Sequence, residues 1–583
     1  MSEKLICKVD LHVHSQYSEI EGGILKKITH SESYTPPQEV YKIAKKRGMN
    51  FVTITDHNSI RGALEIAHHD DVFISEEVTV TFPEDKCEIH VVTLNINEYH
   101  HQNISKLRHN IYDLVDYLNS NQIVHFVAHP FSSVNGKLRK EHWEKMLLLF
   151  DVFEVRNGVQ REKDNLLLEK ILKGLTAEKI HQLIDKYKIY PLSQTPWKKS
   201  MVGGSDDHGG LYIGKTYTVG RGPGLADFLE SIRRGETKAE GKSGTFHTVG
   251  HSIYATGYKF YKYRLKKRKL FKFIDKFVTD EIKGKILEKA FFKNGSKLSS
   301  IMPKGFLISF FIKKFSKKMP FLYTLRTMGK INKNLPLYAA LSPYLFGLAY
   351  QNKDRNLTWE VKKYYLDQPD PLKVAIFTDI LERKDSLPHH FEFDQTLFER
   401  EKIKIISCNR KIKSSNVGIK IFRSVADFPF PIFPDIHLYI PPLLEILSYC
   451  EKEDFALIHV LTPGPMGLAG IMVSKLLKIP LIGTYYIDFS KHIQKLITSE
   501  NFKNLVWKYL GWYYSQMHKI IVTSEKYLQE LKEKNISPTK LKFLPCEGID
   551  QYICESSSYQ FLKDLLHQEN FFKLREIYKE IYV

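Results

Sequence analysis

The stretch DLHVHS at Asp10–Ser15 sets His12 and His14 two residues apart. On an extended strand that spacing sends both imidazoles to one face, and imidazole is the commonest side-chain ligand for zinc, iron and manganese. Further groups of the same kind follow along the chain. TDH carries Asp56 and His57, SEEV carries Glu76 and Glu77, EIHVV carries His90, AHP carries His129, and GSDDH carries Asp206, Asp207 and His208. Any one of them reads as an ordinary polar residue of a core or a surface. The whole series at successive strand ends reads as a metal site, because several carboxylates and imidazoles buried together are costly unless cations balance them.

These residues must be positioned by something. From residue 5 to about 220, short apolar runs (LICKVDL, NFVTITD, DVFISEEV, EIHVVTL, IVHFVAH, DVFEVRN and MVGGSD) read as buried strands. Helical patterns fall between several of them, at Pro37–Arg47, Ile60–His68, Ile104–Asn119 and Lys140–Leu149. Strands alternating with helices predict a parallel α/β unit, either an open sheet or a barrel. The polar motifs sit at the carboxyl ends of these strands, where α/β barrels carry their active sites.

The ordered series HxH, TDH, Glu, His, AHP, SDxH resembles the polymerase-and-histidinol-phosphatase (PHP) superfamily over roughly residues 5–250. The resemblance implies a distorted (β/α)7 barrel holding two or three divalent metal ions (Zn, Mn or Fe). It also implies His12, His14, His57, Glu77, His90, His129, Asp206 and His208 as ligands. Glu77 would be the bridging carboxylate, preferred to Glu76 because the apolar Val78 follows it. Family members often carry Ser-Asp-Gly shortly after HxH. Here the stretch is YSEIEGG, and Glu19 is the candidate for the third metal, with Glu21 and His30 as weaker ones. Metals so held would activate a water and stabilise charge on a phosphoryl group. Asp207 is the candidate for protonating the leaving group, and Asp56 for orienting a ligand histidine. Arg156 and Asn157, in FEVRNG at a strand end, are the candidates for contacting substrate; the alternative for Arg156 is a surface ion pair.

The rest of the chain has a different character. Its 583 residues predict three or four structural units. Lys and Arg number 86 against 66 Asp and Glu, a net charge of +20 that points to an anionic partner. Between Lys259 and Lys318 there are 19 Lys or Arg against 4 Asp or Glu, interleaved with Phe and Tyr. Residues 251–366 read as a basic helical connector. Three roles fit the basic run: docking on an anionic membrane surface, a solvated linker, or nucleic-acid binding. The last is disfavoured because no DNA or RNA motif accompanies the charge. Six cysteines without a C-x-x-C pair argue against a disulfide framework and for a reducing compartment. With no signal-peptide pattern and no apolar run of about 20 residues, the expectation is a cytoplasmic protein that can sit on the inner face of the membrane.

A second α/β pattern begins at Pro371, with strands KVAIFTD, KIKIISC, FALIHVLT, PLIGTYY and KIIVTS. IHVLTPGPMGLAG, IPLIGTYYIDF and KIIVTS followed by FLPCEGID resemble the N-terminal half of family-4 glycosyltransferases of the two-domain GT-B type. That implies a Rossmann-like domain over residues 367–550, followed by a helical tail at 551–583. The loop PGPMG opens a helix after a strand, a geometry that suits an anionic or hydroxyl-rich ligand. The strand KVAIFTD lacks the glycine loop usual near the acceptor. The sugar-nucleotide half of that fold has no counterpart among the 33 residues after Asp550. Three functions follow as expectations: a phosphoesterase acting on a phosphorylated substrate, a part in glycan or glycolipid assembly beside a separate donor domain, and a metal-stabilised binding platform.

Overall fold

A computed structural model describes residues 6–19, 31–265, 335–366, 372–379, 402–409, 418–430, 433–486, 500–545, 565–566 and 568–582. The chain divides into two compact units, Met1–Gln368 and Pro369–Val583. Both are mixed α/β.

In the first unit the strands are β1 (Ile6–Val9), β2 (Ser75–Phe82), β3 (Cys87–Leu94), β4 (Val124–Val127), β5 (Val152–Asn157), β6 (Ser200–Gly204), β7 (Thr216–Arg221) and β8 (Lys238–Gly241). They form a five-stranded sheet, β2-β3-β4-β5-β6, and a three-stranded sheet, β1-β7-β8. The sequence pattern predicted parallel pairing throughout, yet β3 runs antiparallel to both β2 and β4. Between β2 and β3 lie only residues 83–86, enough for a hairpin and too few for the crossover that a parallel pair needs. The pairs β4–β5 and β5–β6 are parallel, with helices between their strands.

Backbone hydrogen bonds carry the sheet beyond its named strands. β6 continues into 205–207, where Asp206 N donates to His12 O (2.6 Å) and His14 N to Asp207 O (3.2 Å). Thr55 N donates to Val13 O (2.9 Å), Glu77 N to Asp56 O (3.2 Å) and Asn58 N to Glu77 O (2.8 Å). The segments 12–14 and 53–57 therefore lie, in that order, between β6 and β2. The run NFVTITD is held as an extended segment rather than as a named strand. Val9, Leu11, Val92, Leu94, Phe126 and Val202 share one buried cluster. Val78, Val80 and Phe82 pack instead with the helices around Trp143 and Met146. Burial on both faces is why the strands read as continuous apolar runs.

Helix Pro37–Lys46 starts at proline, with Glu39 in its first turn and Lys45 and Lys46 in its last, matching the helix dipole. The expected helix Ile104–Asn119 is two helices, Glu98–Leu107 and Ile111–Ser120. Asn110 interrupts the pattern by accepting a hydrogen bond from Tyr112 N as an N-cap. Helices Phe246–Leu265, Leu335–Gln351 and Arg355–Tyr365 belong to the first unit, and Leu357 and Val361 of the last join the core around Trp143. Most of the basic run 259–318 lies outside the described residues, as do Glu21 and His30.

The second unit has strands β9 (Val374–Phe377), β10 (Ile403–Asn409), β11 (Ile419–Arg423), β12 (Ala426–Phe430), β13 (Phe433–Ile440), β14 (Leu457–Val460), β15 (Leu481–Tyr485), β16 (Lys519–Val522) and β17 (Leu541–Phe543). Seven of them form a sheet in the order β11-β10-β9-β14-β15-β16-β17, parallel at every pairing. Strand order reverses between β9 and β14, as at the switch point of a Rossmann-like sheet. The tail helix Gln568–Tyr582 packs on this sheet through Tyr578, whose hydroxyl lies 2.7 Å from His459 Nδ1. Cys7, Cys87, Cys408 and Cys450 are buried thiols. No described helix is long and apolar enough to cross a membrane.

Candidate metal centre

The strand ends of the first unit bring His12, His14, His57, Glu77, His90, His129, Asp206 and His208 into one cluster. Their ligating atoms form four overlapping groups, each within 4.8 Å: His14, His57 and His208; His12, His14 and Asp206; His12, Glu77 and His129; His57, Glu77 and His90. Glu77 is at the centre. Its Oε2 lies 3.1 Å from His12 Nε2, 3.3 Å from His14 Nε2 and 3.1 Å from His57 Nδ1. Its Oε1 lies 2.8 Å from His90 Nδ1 and 3.1 Å from His129 Nε2. Asp206 Oδ1 lies 3.3 Å from His14 Nε2 and 3.5 Å from His208 Nδ1. Glu76 points elsewhere and meets His101 Nδ1 at 2.8 Å.

These residues fit divalent cations. His12 Nε2, His14 Nε2, His57 Nδ1 and Glu77 Oε2 are buried atoms without a hydrogen-bond partner. Buried polar atoms are rarely left so, and lone pairs converging from imidazole and carboxylate suit zinc, manganese or iron. Electrostatics agree. Burial opposes charge on His12 and His57, but Glu77, with Asp206 and Glu154 at His12 and Glu32 at His57, outweighs it. His12 rises well above the ordinary range and His57 to about 9. Burial likewise opposes charge on Glu77 and Asp206, and the histidines around them hold both far below the usual carboxylate range. Cation binding at His12 and His57 therefore competes with protonation of their imidazoles, whereas burial lowers His90 to about 4.

Backbone strain marks two of these residues. His129 has φ +29° and Asp206 φ +50°, conformations that cost about 1–3 kcal/mol and persist only where the surroundings enforce them. For His129 the enforcing contacts are its N–H to Glu154 Oε2 (2.8 Å) and Ser132 N–H to its carbonyl (2.8 Å). Gly204 is needed for close approach: a Cβ there would lie 2.3 Å from His12 Cβ and 2.7 Å from His12 N.

Two carboxylates of the site were not singled out by sequence. Glu154 Oε1 lies 3.1 Å from His12 Nδ1, while its Oε2 accepts from His129 N and from Asn157 Nδ2 (2.9 Å). Its signal was a lone carboxylate inside the apolar run VFEV. Glu32 Oε2 lies 3.5 Å from both His57 Nε2 and His208 Nε2. Glu19, the residue expected there, is exposed and belongs to none of the ligating groups. Glu19 pairs with Ser31 in an isolated antiparallel bridge, and Glu32 is the next residue.

Asp56, Asp207, Arg156 and Asn157 remain. Asp56 accepts from Ser15 N and Ser15 Oγ, both at 2.6 Å, which ties the His14 segment to His57. Asp207 accepts from Gly209 N (2.9 Å) and Tyr212 N (3.1 Å), organising the turn that carries His208. Arg156 turns away from the cluster, to Gly241 O (3.1 Å) and toward Glu169 (3.9 Å). The reason is a register shift in β5 between Glu154 and Arg156. One extra residue flips the alternation, so Asn157, not Arg156, shares a face with Glu154. Asn157 Nδ2 also reaches Asp206 Oδ2 at 3.2 Å.

In the second unit, the PGPMG loop expected to take an anionic ligand already holds one. Asp379, just beyond β9, accepts from Met466 N (2.8 Å) and Thr462 Oγ1 (2.5 Å) at the start of helix Pro465–Leu477. Burial raises its carboxyl to about 6 against these hydrogen bonds.

Comparison with known proteins gives the following likenesses. Residues 399–550, all in the second unit, match Glycosyltransferase Family 4. An uncharacterized protein of Methanocaldococcus jannaschii is 29% identical over 175 residues, covering 29% of this chain and 93% of that protein. Among solved structures, the chain is similar to an amidohydrolase from Chromobacterium violaceum with bound sulfate and no metal, at 15% identity and TM-score 0.24, covering 34% of this chain and 87% of that one. It is also similar to a protein of Bifidobacterium adolescentis described as a metal-dependent phosphoesterase, at 14% identity and TM-score 0.22, covering 40% and 98%.

Proposed function

We propose that the first unit is a metal-dependent hydrolase of phosphate esters, built as the distorted (β/α)7 barrel that the ring of 12–14, 53–57 and β2–β6 suggests. The observation that carries this reading is the convergence of eight His, Asp and Glu side chains, among which His12 Nε2, His14 Nε2, His57 Nδ1 and Glu77 Oε2 are buried without a hydrogen-bond partner. When bound, divalent cations at such a centre supply Lewis acidity to a phosphoryl oxygen and bring the pKa of water toward neutrality. The chain's own part is to hold the ligands. Glu154 takes the Nδ1–H of His12, leaving the Nε2 lone pair to face Glu77. Glu32 completes the outer group with His57 and His208, and Asp56 and Asn157 orient their neighbours. Asp207, spent on two backbone amides, is assigned to the His208 turn rather than to proton transfer.

Elemental analysis of the purified protein, together with turnover of an aryl phosphate, tests the reading. Bound metal and a loss of activity by orders of magnitude in His14→Ala and Asp206→Asn are expected. Normally folded protein that binds no metal overturns it, and metal retained without turnover on a broad phosphoester panel favours a binding platform.

A second reading concerns Pro369–Val583. The match to Glycosyltransferase Family 4 supports a part in glycan or glycolipid assembly beside a separate donor domain. Sugar-nucleotide binding by the full chain with a partner chain is the test, and its absence removes the reading. Attachment of a cytoplasmic protein to an anionic membrane through residues 259–318 is the matching proposal for location. Co-sedimentation with anionic liposomes that survives deletion of that segment overturns it.

A further inference from the structure

The helices packed above the strand ends are not part of the motif series, yet they meet the loops that carry the ligands. Helix Leu335–Gln351 approaches helix Phe246–Leu265 closely. A Cβ on Gly347 would stand 2.8 Å from Phe246 O, and one on Gly250 would stand 2.6 Å from the ring of Tyr344. At its end the chain is pinned to the loops after β4 and β5. Gln351 Nε2 donates to Val159 O (2.5 Å), Asn352 meets the Arg161 guanidinium, and Asp354 Oδ2 accepts from Ser133 N (2.8 Å). Asn352 is 0% and Arg161 4% exposed, so the attachment is buried.

This places Lys353 on the loop of His129. Its Nζ donates to Ser133 O at 2.6 Å, four residues from a histidine of the cluster, and stands 4.5 Å from the ring centroid of Tyr350. An ammonium has three donors; Ser133 O takes one, and Asp354 is 3.9 Å off. The Lys353 side chain is 32% exposed, and with one donor spent on Ser133 O the ammonium keeps the capacity to meet a further acceptor. Two neighbouring basic groups are committed elsewhere. Arg156 turns to Gly241, and Arg161 is held by Asp164 at 2.6 and 2.9 Å. Burial lowers Lys353 from its usual range, while Asp354 and then Asp206 raise it.

We propose that Lys353 is the anion-binding residue of the metal centre, donating to the non-bridging oxygens of a phosphate monoester, with Tyr350 forming the adjacent wall. The proposal rests on the phosphoesterase reading. The recognition element then comes from a segment about 145 residues beyond the last ligand, His208, and not from the motif series.

The test uses full-length protein loaded with Mn2+ and inorganic phosphate as the probe. Metal content, phosphate affinity by calorimetry, and the KM and kcat for an aryl phosphate are measured for wild type, Lys353→Met and Lys353→Arg. Loss of a charge-assisted hydrogen bond predicts about 10–100-fold weaker phosphate binding and a raised KM in K353M. Metal content should be unchanged, and K353R should recover most of the loss. Phosphate affinity in K353M within about twofold of wild type overturns the proposal. So does loss of metal in K353M, which would make Lys353 a brace for the His129 loop. Loaded wild type that neither binds phosphate nor turns over an aryl phosphate overturns the phosphoesterase reading instead.

Discussion

Glu154→Gln should lower metal affinity without removing a ligand. The carboxylate takes three donors: Oε1 faces His12 Nδ1, and Oε2 accepts from His129 N and Asn157 Nδ2. An amide in the same place must turn its NH2 toward one side or the other. Facing His129 and Asn157, it meets two donors. Facing His12, it meets one, and His12 can relieve that clash by moving its proton from Nδ1 to Nε2. The second orientation is the cheaper. It puts a proton on the nitrogen that lies 3.1 Å from Glu77 Oε2, where a ligand lone pair is needed. Outer-shell partners of this kind are worth about 10–100-fold in metal affinity, or about 1.4–2.8 kcal/mol. Competition with a chelating dye measures the affinity, and imidazole 15N shifts report the tautomer. An affinity within about threefold of wild type, or a weakened affinity with the His12 tautomer unchanged, would refute the reasoning.

Three further outcomes follow from particular contacts. Gly204→Ala puts a Cβ 2.3 Å from His12 Cβ and 2.9 Å from its Cα. Because backbone must move, it should cost about 1–3 kcal/mol in urea unfolding and lower metal content; wild-type behaviour in both would show that the approach relaxes freely. Arg156→Ala should change kcat/KM by less than about threefold, whereas Asn157→Ala, which loses contacts to Glu154 and Asp206, should lose about 10–100-fold in metal affinity. The reverse ranking would contradict the register shift in β5. In the second unit, burial holds His459 at about 3, below its unfolded 6.5, between Tyr578 and Thr484. Its neutral form contributes stability that is present above about pH 6.5 and is lost as pH falls toward 3, at up to about 1.4 kcal/mol per pH unit. His459→Asn should flatten that part of the pH dependence of urea unfolding, and an unchanged slope would exclude the residue.

Much of the site was legible in the sequence because its ligands sit in local motifs at strand ends. HxH declares its shared face by the two-residue period of a strand, and TDH, SEEV, AHP and GSDDH follow apolar runs that must be buried. The second unit's parallel order was visible for the same reason, in short apolar strands separated by helices. What escaped was whatever depends on chain return or register. Nothing in YSEIEGGILKKITHSES says that Glu32, not Glu19, comes back to His57 and His208. One inserted residue in β5 exchanges Asn157 for Arg156, and periodicity cannot show which strand carries a bulge. The anion-binding loop of the second unit looked open because its occupant, Asp379, lies 83 residues before Thr462.

The sequence by itself determined which side chains could bind metal, because ligand chemistry is a property of residue types and strand period is local. Tertiary structure decided which of them meet, which carboxylates stand behind them, and that Lys353 packs on the loop of His129. Those outcomes depend on distant segments packing together, and no local pattern encodes the partner.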